Sequence, residues 1–84
     1  MIVPYRQREI PLHRLVAGQS ARVARILGPA DDVHRLEEFG LRGGTKIAMV
    51  RPGSPCILRV AGSKVCLRTD DRLLILVTPA GTPG

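Results

Sequence analysis

The side chains with the chemistry to hold a metal ion are His34, Glu37 and Glu38. His34 and Glu38 are four residues apart, so one turn of helix sets an imidazole and a carboxylate on the same face, with Glu37 beside them. Two such groups make a weak divalent site. A tight one needs a third or fourth ligand from His13, an Asp or a neighbouring molecule, and zinc would compete well there against iron. The plainer expectation is a solvated helix face, with no cofactor required. Nucleophilic catalysis has less to work with. His13 and His34 are the two histidines and neither has a cysteine near it in sequence, so no enzyme is expected. Gly40, Gly43 and Gly44 follow a helix rather than open one, which excludes a phosphate-cradling loop.

The element that positions these groups is Asp31 to Gly44, DDVHRLEEFGLRGG. Val33, Leu36 and Phe39 or Gly40 recur at three- and four-residue spacing and form one apolar stripe, while Arg35, Glu37 and Glu38 fill the wet side. Asp31 or Asp32 is the expected N-cap, and Gly40 the left-handed stop with Leu41 in the hydrophobic position after it.

The whole chain has 84 residues, enough for one small domain, with net charge +6 and Tyr5 and Phe39 as the two aromatic rings. The basic charge suits an acidic partner, but Arg22, Arg25, Arg51, Arg59, Lys64 and Arg68 are scattered along the chain at outward strand positions, so an ordinary solvated surface is expected. No signal-peptide core and no membrane-spanning run is present, so the expectation is a soluble, cytoplasmic protein without membrane insertion. Cys56 and Cys66 form no zinc-type spacing and are expected to pack.

In order, residues 1–10 read as a tail and Pro11 to Gly18 as a helical turn. Ser20 to Leu27 reads as a strand with a bulge near Arg25, and Thr45 to Arg51 follows the helix as a second strand. After the Pro52-to-Pro55 turn, Cys56–Val60 and Ser63–Arg68 form a hairpin across Ala61-Gly62. That loop sets Val60 opposite Ser63, Leu58 opposite Val65 and Cys56 opposite Leu67, with Ile57–Cys66 and Arg59–Lys64 on the other face. Thr69-Asp70-Asp71 is a tight turn. Arg72 to Val77, with its LLILV run, reads as a strand covered on both faces, and residues 79–84 as a flexible tail. The sum is a mainly β chain of about five short strands, with one short helix after the first. Curling it into a small barrel hides most edges.

Leu12, Leu15, Gly18, Ala21-Arg22-Val23, the Leu36-to-Leu41 stretch with its Gly40-Leu41 pair, Gly44, the Ala61-Gly62 hairpin and Leu67-Arg68 together resemble the FeoA family over about Pro11 to Thr78. The resemblance implies an SH3-like barrel over residues 11–78. It also implies an accessory role in bacterial ferrous-iron uptake, binding the cytosolic part of the FeoB permease. Family members usually carry Pro-Gly where this chain has Gly43-Gly44. The same domain resembles the C-terminal module of iron-dependent repressors related to the diphtheria toxin repressor. Contact with a partner is expected at the helix exit, Phe39, Leu41 and Arg42, and at the turn beginning at Arg51, with Met49 on the same side; the competing reading puts Phe39, Leu41 and Met49 in the core. A nucleic-acid-binding barrel and an iron-sensing domain are the alternative functions. Exposed strand edges also permit a homodimer.

Overall fold

The structure, a computed structural model, describes residues 9–68 and 73–80. The expectations for residues 1–8, for the Thr69-Asp70-Asp71 turn and for residues 81–84 lie outside those residues. The elements are β1 (Ile10–Pro11), a 3-10 turn (Leu12–Arg14), β2 (Ser20–Leu27), α1 (Ala30–Glu38), β3 (Lys46–Arg51), β4 (Cys56–Val60), β5 (Ser63–Leu67) and β6 (Leu74–Pro79). They form one antiparallel sheet in the order β1-β6-β2-β3-β4-β5.

Alternation along the strands decides which face is inside. Ala21 and Val23 of β2, Ile47 and Met49 of β3, Leu58 and Val60 of β4, and Ile75 and Val77 of β6 are buried, and the residues between them point out. A single cluster receives all of these together with Leu12, Leu15, Leu36 and Leu41. A six-stranded sheet that gathers one face into one core must curve, and it does so with bulges in β2 between Val23 and Arg25 and in β3 between Met49 and Arg51. The result is a small SH3-like barrel. It is open, because among the described residues β1 and β5 end the strand order without pairing to each other.

The β4–β5 register is the expected one at all five positions, from Cys56–Leu67 to Val60–Ser63. Two corrections concern the last strand and the first. β6 lies inside the sheet, yet Leu74 is exposed, so the LLILV run alternates instead of being covered on both faces. Ile10 and Pro11 are a strand paired with Val77 and Leu76, so the ordered domain reaches back past the expected start at residue 11. A two-residue strand has no period to read; its existence depends on a partner more than sixty positions away.

The helix also starts differently from expectation. Pro29 is the N-cap, with φ −61° and ψ 141° and no side-chain cap bond, and Asp31 and Asp32 sit inside the first turn, against the positive end of the dipole. The C-terminal stop matches. Gly40 takes φ +95°, its N–H donates to the Glu37 carbonyl, and the Leu41 N–H reaches back to the Leu36 carbonyl at 3.0 Å. This pair of bonds is a Schellman stop, and Leu36 and Leu41, both buried, supply its hydrophobic contact.

A candidate partner-binding groove

Between α1 and β5 runs an open groove of about 320 Å³, lined from the helix side by Asp32, Arg35, Leu36 and Phe39 and from the strand side by Cys66, Leu67 and Arg68. The Schellman stop explains why Phe39 is there. The chain reverses immediately after it, sending Leu41 into the core and leaving the Phe39 ring 57% exposed. Leu36 and Leu67, both buried, close the floor. Arg35 and Arg68, both exposed, give the groove a basic wall.

The strand side offers backbone as well. The pair flanking a two-residue hairpin loop, here Val60 and Ser63, is hydrogen-bonded, so Ser63, Val65 and Leu67 bond to β4. Lys64 and Cys66 therefore turn their N–H and C=O groups away from β4. Among the described residues no strand lies on that side. A ring standing free beside an unpaired strand edge is what an added extended segment needs: main-chain bonds from the edge, and an apolar surface for one of its side chains.

Of the expected partner residues, the fold puts Phe39 in the groove. Arg42 is exposed at the helix exit, with its Nε donating to the Glu37 carbonyl at 3.3 Å. Arg51 is exposed across the sheet, next to Ile57, which in turn pairs with Cys66. Leu41 and Met49 are corrected: at 0% and 1% exposure they are core and have no surface to present. Arg35, Cys66 and Arg68 join the site without having been singled out for it. The register had already turned Cys66 outward, but no sequence pattern says that α1 lies alongside β5.

His34 and Glu38 are exposed on α1 and Glu37 is half-buried. Among the described residues no three His, Cys, Asp or Glu side chains come together as metal ligands, so the fold supplies this pair with no third group. His13 lies elsewhere, on a small cavity of about 40 Å³ shared with Met49 and Cys56. Cys56 is buried and Cys66 exposed, both free, and burial pushes the Cys56 thiol up from its ordinary value. No helix among the described residues is long and apolar enough to cross a membrane.

Comparison with known proteins now adds to this geometry. The model of the FeoA domain matches residues 10–79. A crystal structure described as iron uptake regulatory protein (FeoA) superimposes with a TM-score of 0.77 at 23% identity, covering 87% of this chain and 100% of that one. The IdeR of T. acidophilum superimposes with a TM-score of 0.79 at 25% identity, over 95% of this chain and 37% of the other, so this chain corresponds to about a third of that protein. No curated protein matches. With residues 10–79 matched, well over half its length, the chain belongs to the FeoA domain family.

Proposed function

We propose that this protein is an accessory module of ferrous-iron uptake that works by binding, on the cytosolic side, the FeoB iron permease. The observation that carries the reading is the groove itself. A FeoA domain that exposes its one described aromatic ring beside an unpaired strand edge has the means to hold an extended segment of another protein. Phe39 supplies the apolar contact, the Lys64 and Cys66 main chain supplies hydrogen bonds, and Arg35 and Arg68 favour an acidic segment. The role is recognition, with no bond made or broken.

Co-purification with the full-length permease tests it, comparing the unaltered chain with Phe39→Ala and with Arg35→Ala/Arg68→Ala. The expected result is retention of the permease by the unaltered chain and loss by both variants, each still folded by circular dichroism. Absence of binding by the unaltered chain would remove the permease from the reading. Undiminished binding by both variants would move the contact away from the groove.

A further inference from the structure

The strand registers gather cations that are far apart in sequence. Arg22 of β2 lies directly opposite Lys46 of β3, and Arg59 of β4 directly opposite Lys64 of β5. Lys46 is across from the hairpin loop and Ala48 across from Arg59, which makes Lys46 and Arg59 diagonal neighbours. All four are exposed and on the outer face: Arg22 alternates with buried Ala21 and Val23, Lys46 with buried Ile47 and Arg59 with buried Leu58 and Val60, and Lys64 shares the face of Arg59 opposite it. Scattered basic residues thus become one contiguous patch over four strands. Its floor is an open depression of about 290 Å³ between Lys46 and Arg59, formed by Ser20, Ile47, Ala48, Ala61 and Gly62.

Among the described residues no strand of this face carries an acid. None of the chain's acidic residues lies in β2 through β6; those described are Glu9 and four on α1. The one ion pair among the described residues, Arg25 with Glu9 at 2.8 Å, leaves the four cations out. Arg22 donates to the Gly44 carbonyl at 3.0 Å, which fixes its direction without cancelling its charge. Like charges set directly opposite each other across strands destabilise a sheet, and here that happens twice side by side. Four cations held together at the expense of stability are suited to an external anion.

We infer that this outer face, Arg22, Lys46, Arg59 and Lys64, binds the anionic headgroups of a membrane surface and lays the domain flat on it. The shape argues for lipid. Among the described residues the patch has no aromatic ring on which a base could stack and no helix or ribbon standing out to enter a duplex groove. Nor does it carry a large exposed apolar side chain of the kind that anchors a protein interface. A broad cationic plane with an open floor matches charge spread in two dimensions. Each cation near an anionic leaflet raises binding about fivefold. The α1–β5 groove is lined by other side chains and shares only the Lys64 main chain with the patch, so lipid binding needs no permease and stands or falls apart from that reading.

The test is sedimentation of the full chain with vesicles containing phosphatidylglycerol and with vesicles of phosphatidylcholine alone, at low and high salt. Two charge-matched variants are compared: Arg59→Gln/Lys64→Gln, which removes half of the patch, and Arg14→Gln/Arg25→Gln, which removes an exposed cation outside it and one already offset by Glu9. The unaltered chain should bind the anionic vesicles alone and release them in salt. The patch variant should bind about 30-fold more weakly, the control should bind within a few-fold of the unaltered chain, and relief of repulsion should raise the patch variant's Tm by about 2–4 °C. That rise separates lost binding from lost folding. Failure to bind anionic vesicles, equal weakening in both variants, or preferential capture of duplex DNA from a mixture with vesicles would each overturn the inference.

Discussion

Replacing Phe39 and Leu41 one at a time by alanine separates surface from core two residues apart. Leu41 is fully buried and caps the helix stop against Leu36. Leu41→Ala should cost about 3 kcal/mol from lost transfer and the cavity left behind. For a chain of this size, with roughly 4–13 kcal/mol of total stability, that lowers Tm by roughly 10–25 °C. Phe39 is 57% exposed, so less than half of its ring is covered. With about 200 Å² for a fully buried ring at about 25 cal/mol per Å², its cover holds no more than about 2 kcal/mol. Phe39→Ala should therefore stay folded at room temperature while losing partner retention. Urea melts followed by far-UV circular dichroism give the two stabilities, and co-purification gives the binding. If Phe39→Ala proves as damaging to stability as Leu41→Ala, the ring is packed in solution and the argument for the groove fails.

Three further predictions follow from the turns and the buried thiol. Gly43 and Gly44 are the middle of the Arg42-to-Thr45 turn, closed by the Thr45 N–H on the Arg42 carbonyl; Gly44 is left-handed and Gly43 is not. Proline suits that second position, so Gly43→Pro should raise stability by about 0.5–1 kcal/mol in a urea melt, through a more restricted unfolded chain. Ala61 is the one described non-glycine residue with positive φ, at 52°, and with Gly62 it forms a mirror-image turn that favours Asn-Gly, so Ala61→Asn should stabilise by about 1 kcal/mol. The Cys56 thiol is held above its ordinary value by burial, so the folded state keeps its proton longer than the unfolded state. The stability this contributes is complete below the unfolded thiol value, about 8.5, and is lost as pH rises from there through the folded value; the urea midpoint should fall over that range, and Cys56→Val should remove this part of the slope.

What was legible in the sequence was local. The β4–β5 register followed from a two-residue loop and a period of two, because a slip of one would have put Leu58 and Leu67 in water. The helix stop at Gly40 and the bulge near Arg25 were legible for the same reason: each is set by a few neighbouring residues. The N-cap was misplaced because Asp31 and Asp32 have the right chemistry for a cap and equally the right charge for a first turn; Pro29, whose ring fixes φ, took the position. Leu41 and Met49 could not be assigned to core or surface from hydrophobicity alone, since a docking anchor and a core side chain have the same composition. The groove and the cation patch depend on α1 lying beside β5 and on Arg22, Lys46, Arg59 and Lys64 meeting across strands. Apart from the Arg59–Lys64 pair, which the hairpin loop already set, both are products of strand order, which no local pattern encodes.

The pairing of β1 with β6 has a consequence for how such a domain travels between proteins. Because Ile10 lies antiparallel to Val77, the backbone arrives and departs at neighbouring points on one margin of the sheet. A host polypeptide can therefore take up the whole unit in a surface loop with its own flanking segments barely displaced, or carry it as an appendage on a short tether. In either setting the margin where the two ends meet is given over to the host, while β5, at the opposite limit of the strand order, stays clear of the graft.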